Sequence, residues 1–325
     1  MSVPALAVED LRIELAVGDR RFAAVEGVSF TIEKGETYGL VGESGCGKSI
    51  TALSLIGLLR PPLSAAGGRI LLGGQALRAL PPRAVRALRG KRVAMIFQEP
   101  MTALNPLAPV GRQIAEMFVL HEGASWADAE RRAVDALRSV KVPAPERRAR
   151  DYPHQLSGGM RQRVMIAIAL ACGPDLLLAD EPTTALDVTV QAEILELIRD
   201  LSAERGTAVL MISHDLGLIA SMCRRVGVMY AGRLVEERDS RAVFREPSHP
   251  YTAGLVASLP LLGARLSGGR NRLREIAGVV PPVTAFPDGC RFNPRCPSAT
   301  EICRDVEPLP EMLPPDGLVR CHHHA

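Results

Sequence analysis

Short apolar runs of strand length alternate with helical periods along this chain, and that alternation predicts its organisation. Glu36 to Val41 is an apolar run leading straight into a glycine-rich turn. Lys48 to Leu59 follows as a helix, closed by Arg60-Pro61-Pro62. Further strand-length runs occupy Arg92 to Phe97, Asp175 to Ala179 and Thr207 to Ile212. Between the last two, Ile194, Leu195, Ile198 and Leu201 share one face of a helix predicted over Val190 to Glu204, with Gly206 as its stop. Strands alternating with helices predict an α/β layer around a parallel sheet. Met101 to Gln155 has a different texture. Its helical period over Ala127 to Val140, bounded by Trp126 and Pro143-Ala144-Pro145, predicts a mostly helical insertion. After Phe244 prolines and cysteines multiply and periodicity fades, which sets a domain boundary near Glu246.

Composition narrows the picture. A chain of 325 residues with 47% hydrophobic and 23% charged positions has the make-up of a globular protein of one large or two modest domains. A net charge of +3 and 4% aromatic residues argue against a nucleic-acid binder that works through a basic surface or stacking platforms. No apolar stretch reaches the roughly 18 residues of a membrane span, since the best run, Val164 to Cys172, is halted by Gly173-Pro174-Asp175. Met1 to Asp10 lacks the basic and apolar regions of a signal peptide, so the chain is expected to stay in the cytoplasm and reach a membrane through a partner. Seven cysteines in that compartment do not imply disulfides. Cys46, Cys172 and Cys223 are scattered, whereas Cys290, Cys296, Cys303 and Cys321 crowd the C-terminal part.

Two motifs carry chemistry. Gly42-Glu43-Ser44-Gly45-Cys46-Gly47-Lys48-Ser49 fits the phosphate-binding pattern G-x-x-x-x-G-K-[ST], placed after a strand and at the head of a helix. Its glycines let the backbone curl so that successive N–H groups face an anion, with Lys48 reaching the β/γ-phosphates and Ser49 a Mg²⁺ ion. Leu176 to Glu181 is an apolar strand delivering two acids at its C-terminal tip, where ligands bind in parallel sheets. Asp180 is read as a Mg²⁺ ligand and Glu181 as the base that polarises the attacking water.

A third segment, Leu156-Ser157-Gly158-Gly159-Met160-Arg161-Gln162, resembles the signature of ATP-binding-cassette (ABC) ATPases. The rest of that family's set is present in order: Gln98 after its strand, Ala185-Leu186-Asp187, and His214 after Thr207 to Ile212. The resemblance implies a P-loop NTPase core with a parallel sheet, an antiparallel β subdomain and a helical insertion at about 101–160. A nucleotide-binding domain over 1–245 would be followed by a small Cys-rich C-terminal extension over 246–325. The implied catalytic residues are Glu181, His214 and Gln98, and the cofactors are ATP and Mg²⁺, the latter on Ser49, Gln98 and Asp180. Nucleotide contacts would come from Gly42 to Ser49, Gln162, Asp187 and Phe22 (adenine stacking, with plain packing as the alternative). In this family two cassettes close head to tail, so Ser157, Gly158 and Gly159 would meet the γ-phosphate held by a second subunit.

Further phrases resemble the dipeptide/oligopeptide importer ATPases. They are Gln98 to Pro106, Gly42-Glu43-Ser44, Tyr152-Pro153-His154-Gln155, Ser248-His249-Pro250-Tyr251-Thr252 and Gly289 to Pro297. The implied partners are two transmembrane permease subunits, a second ABC ATPase subunit and an extracytoplasmic substrate-binding protein. The second cassette is expected to be a related but distinct chain rather than an identical one, and no nucleic acid is involved. The implied location is peripheral, on the cytoplasmic face of the inner membrane. Nickel, glutathione, cationic peptides and sugars remain alternative cargoes. A soluble ABC ATPase acting on nucleic acid or the ribosome is the distant alternative, lacking here its long coiled coil or tandem cassettes. The resemblance implies a [4Fe–4S] cluster on Cys290, Cys296, Cys303 and Cys321, structural or redox-sensing, with structural Zn²⁺ or unligated thiols as alternatives. His322, His323 and His324 read as a flexible tail. Cys46, beside Lys48 at a helix N-terminus, is expected to ionise more readily than a free thiol, unless it is simply a tolerated small residue.

Overall fold

The computed structural model describes residues 3–98, 103–184, 186–259, 276–315 and 317–324. In chain order the strands are β1 (Leu6–Val17), β2 (Arg20–Ile32), β3 (Thr37–Val41), β4 (Leu63–Leu72), β5 (Gln75–Ala76), β6 (Val93–Ile96), β7 (Leu176–Asp180), β8 (Ala208–Ser213), β9 (Arg225–Tyr230), β10 (Arg233–Asp239), β11 (Glu311–Leu313) and β12 (Gly317–Val319). The chain forms two compact units, one built on residues 1–6, 32–36 and 72–212, the other on 7–31, 37–71 and 213–325.

In the first unit β6, β7 and β8 run parallel. Val93 pairs with Leu176, and β7 pairs with β8 from Leu176/Ala208 to Asp180/Ile212. Every residue of β7 and β8 is buried, which is why these strands read as continuous apolar runs rather than alternating ones. Each observed strand lies within one residue of its predicted limits.

The helical insertion is present as Val110–Glu122 and Trp126–Ser139. Gly123, at φ 69°, turns the chain between them, and the Ser125 side chain caps the second helix by accepting from the Asp128 amide. Ala129, Ala133 and Leu137, spaced at four, form its buried stripe. The signature helix covers Gly158–Leu170 and the next one Val188–Arg205, the latter stopped by Gly206 at φ 66° as the sequence indicates.

In the second unit β3 lies parallel to β9, in register from Tyr38/Arg225 to Val41/Val228. Antiparallel pairs β9–β10, β10–β12 and β12–β11 extend that sheet. A separate sheet has the order β2-β1-β4, with β1 and β2 joined through Gly18-Asp19 as an antiparallel hairpin. The helix after β3 covers Lys48–Leu55 only. The expectation of a longer helix fails because Gly57 adopts φ 63°, a stop that precedes the prolines by four positions.

The segment after residue 246 is part of this second unit. It contributes β12 to the sheet that contains β3, pairing Val319 with Glu236. The Glu236 carboxylate is fully buried and accepts the amides of Ser248 and His249 at 2.9 Å each. The helix Pro250–Ala257 then starts on a proline, which needs no N–H partner there, and on His249, whose Nδ1 accepts from the Tyr251 amide at 3.0 Å. His322, His323 and His324 do not form a free tail. Their Nε2 atoms lie within hydrogen-bond distance of Val306 O, Thr300 Oγ1 and Glu311 Oε2. Among the described residues, no helix is long and apolar enough to cross a membrane.

Candidate nucleotide site

The loop between β3 and the helix Lys48–Leu55 has the curl that its glycines predict. Gly42, Gly45 and Gly47 take φ of 150°, 80° and 108°, conformations that other residues rarely adopt. Gly42 also needs its lack of a side chain, since a Cβ there would lie 2.2 Å from Met229 O and 2.7 Å from Cys46 Sγ. The helix begins at Gly47 without a side-chain cap, the arrangement of an anion-binding N-terminus. Lys48 is only 6% exposed and donates to the carbonyls of Gly42 and Glu43 at 2.7 and 3.0 Å, which fixes its ammonium inside the loop.

Two expectations about this loop change. Cys46 is fully buried, and burial pushes its thiol up, outweighing the Lys48 ammonium 3.5 Å away. The thiol is therefore a packed core group and not the readily ionised one that its neighbours suggest. Glu43, counted as a nucleotide contact, turns its carboxylate away to Arg295, and its amide donates to the Tyr251 hydroxyl at 2.9 Å. Phe22 on β2 is half-buried, and one ring face carries the Arg20 guanidinium at 4.8 Å. His214 lies in this same unit, exposed, in the bend after β8.

The acids lie in the first unit. Asp180 ends β7 at 5% exposure, and Glu181 follows in a left-handed conformation, φ 48°. Such a backbone typically costs a non-glycine residue about 1–3 kcal/mol and is held only where its surroundings fix it. Here the Glu181 amide donates to Ile212 O, and its Oε2 accepts from Gln98 Nε2 and Thr184 Oγ1, all at 2.9 Å. Gln98 and Glu181 thus meet, 83 positions apart. Thr184 is a member of this group that the sequence did not single out; its place three residues after the acid was the available signal.

Ser157 caps the signature helix, its Oγ accepting from the Met160 amide at 3.3 Å, and Ser157 and Gly158 are exposed. Gly159 packs so closely that a Cβ would lie 2.9 Å from Val190 Cγ1. Asp187 is the cap of the helix Val188–Arg205, accepting from the Val190 amide at 3.0 Å. Gln162 departs from its expected role: it is 2% exposed, beneath the surface that Ser157 and Gly158 occupy, with no partner for Nε2 among the described residues. Ala185 and the stretch 99–102 of the importer phrase lie outside the described residues.

Cys290, Cys296, Cys303 and Cys321 line one enclosed cavity together with Phe292 and His323. All are free thiols. Burial pushes Cys290 up to about 11, and the neighbouring Cys303, Cys321 and Cys296 push in the same direction. Among the described residues, no group of three or more His, Cys, Asp or Glu side chains is gathered to hold a metal ion. Ligand geometry therefore does not support the expectation of a metal site on these four cysteines.

A phosphate loop, an acid pair at a strand tip and a glycine-opened signature helix define the class as a nucleotide-binding ATPase of the cassette kind. The ABC transporter family model matches residues 25–184, and the model of the oligopeptide/dipeptide transporter C-terminal region matches 235–303. The chain belongs to the ABC transporter ATP-binding proteins of the dipeptide/oligopeptide importer family. It is 49% identical to a probable peptide ABC transporter ATP-binding protein of Sinorhizobium fredii, covering 97% of this chain and 94% of that one. It is 48% identical to the oligopeptide transport ATP-binding protein OppD of Salmonella typhimurium, with coverages of 97% and 92%. A dimeric ATP-binding cassette solved in a post-hydrolysis state with ADP and Pi superposes with a TM-score of 0.65 at 27% identity, over 73% of this chain and 99% of that one.

Proposed function

We propose that this chain is the motor of an importer for di- or oligopeptides, hydrolysing ATP to open and close a pair of cassettes. The observation that carries this reading is the group at Glu181. A carboxylate held in a strained left-handed turn, and fixed by Gln98 and Thr184, is a base positioned ahead of its reaction. Lys48 and the loop amides would hold the β/γ-phosphates, and the family resemblance assigns Mg²⁺ binding to Ser49, Gln98 and Asp180. His214 would sense the γ-phosphate. Ser157 and Gly158, exposed at a helix N-terminus, together with the half-buried Gly159, would complete the site of a second cassette. Two permease subunits, a distinct partner cassette and a substrate-binding protein would complete the importer, with this subunit peripheral on the cytoplasmic face. Peptide cargo is supported by the match of residues 235–303 and by the relatives' names.

The test is Glu181→Gln, which should leave ATP binding intact and lower turnover by about 10²–10⁴, the usual contribution of a general base. Turnover at the parental rate would remove Glu181 from this role. For the four cysteines we keep the [4Fe–4S] proposal on one ground, their convergence on a single cavity. Anaerobically purified protein free of iron and sulfide ends it.

A further inference from the structure

Glu43 poses an electrostatic problem. A carboxylate inside a phosphate-binding loop repels the polyanion that the loop must hold. The second unit answers it with a residue 252 positions away. Arg295 Nη1 and Nη2 grip Glu43 Oε2 and Oε1 at 2.6 and 3.0 Å, the two-pronged geometry of a strong arginine–carboxylate pair. Arg295 is itself held on every side. Its Nε donates to Ala277 O at 2.9 Å, Nη2 also to Ile276 O, and its side chain is 4% exposed. The guanidinium lies 5.7 Å from the Tyr230 ring centroid. Tyr230, Tyr251 and Phe292 form a buried aromatic cluster with centroids 4.6–5.4 Å apart, and from it the Tyr251 hydroxyl takes the Glu43 amide. A second arginine of the same segment, Arg291, donates to Ala231 O at 2.6 Å, and the next residue, Gly232, donates its amide to Cys46 O at 2.9 Å. The C-terminal segment thus holds the loop directly at Glu43, and through Arg291 it braces the β9–β10 turn whose Gly232 holds Cys46.

We infer that Arg295 is a positioning residue for the nucleotide phosphates, anchoring Glu43 and cancelling its charge, so that the C-terminal segment is a working part of the ATP site. The inference rests on reading Gly42–Ser49 as the phosphate loop. It predicts charge rescue. In the full-length chain, Arg295→Gln leaves Glu43 unpaired and weakens MgATP binding about ten- to a hundredfold, the range for a lost hydrogen bond to a charged group. Adding Glu43→Gln to that variant removes the repulsion and tightens binding again by about tenfold or more. A purely structural role for Arg295 gives no such recovery. Arg295→Lys, which keeps the charge and loses the fork, falls between parent and Arg295→Gln.

Binding is followed by titration with MgATP, with the thermal midpoint of each variant measured alongside. Unchanged affinity in Arg295→Gln, or no recovery in the double variant, overturns the inference. If Arg295→Gln does not fold, Arg295→Lys decides the question through salt. The residual repulsion between an imperfectly paired Glu43 and the phosphates is screened by salt, so the deficit of Arg295→Lys against the parent should narrow as salt rises, and a constant ratio is the overturning result. Lys48→Ala separates the two layers of argument. Loss of MgATP binding there, with Arg295→Gln silent, defeats this inference alone, whereas full binding in Lys48→Ala defeats the reading of the loop as well.

Discussion

His249 makes the loop's aromatic support sensitive to acid. Burial lowers its pKa from 6.5 to about 3, and its Nδ1 is committed to accepting the Tyr251 amide, which a protonated ring cannot do. The folded state therefore resists a proton that the unfolded chain takes up near pH 6.5. Stability from this group is complete above pH 6.5 and is lost as pH falls toward 3, by about 1.4 kcal/mol for each unit once below 6.5. At pH 5.5 the loss is already about 1.4 kcal/mol, equivalent to a drop of about 2–4 °C in the melting midpoint of a mid-sized domain. In His249→Asn the amide oxygen can still accept from Tyr251, but nothing titrates. Melting midpoints of parent and variant should therefore be measured from pH 7.5 to 5, where other groups common to both cancel in the difference. The variant's curve should be flatter by that amount. Equal slopes would show that the ring is solvated or already charged in the folded protein, and the reasoning would fail.

Two further outcomes follow from the phosphate loop. With the thiol raised by burial, Cys46 should react with iodoacetamide in the native chain more slowly than a free cysteine, and at the free-thiol rate only in denaturant; rapid native alkylation would restore the ionised reading. Gly42→Ala places a methyl 2.2 Å from Met229 O at a φ closed to alanine, so it should abolish MgATP binding or lower the melting midpoint sharply, and an unaffected variant would refute the need for this tight curl.

The elements legible in the sequence are those whose cause is local. Gly206 stops its helix as read, because a left-handed stop acts within a turn, whereas the Asp187 cap that starts the helix was read only as a nucleotide contact. The parallel strands announced themselves because burial on both faces leaves no polar alternation. Gln98 and Glu181 were each singled out by motif, and the strands that carry them are neighbours. What escaped was set by distant chain. Cys46 was read from its immediate neighbours, which lower a thiol pKa, and burial by the rest of the loop and β9 outweighs them. Glu43 was read as a nucleotide contact and Arg295 only as part of an importer phrase, and no period links positions so far apart. The phrase Ser248 to Thr252 was recognised as wording, but its work lies in one amide and one buried acid that only the folded chain supplies.

The grip of Tyr251, Arg291 and Arg295 on the loop and the turn beside it runs in both directions. Any free energy by which the segment steadies the phosphate loop for ATP must be returned when ATP steadies the loop, because coupled equilibria are reciprocal. The nucleotide is therefore a ligand of the C-terminal segment at second hand. The slowest-exchanging amides and the most protease-resistant form of that segment belong to the ATP-bound protein, and each hydrolysis cycle slackens it. A shortened chain ending near Glu246 would leave Glu43 as a bare charge at the mouth of its own site.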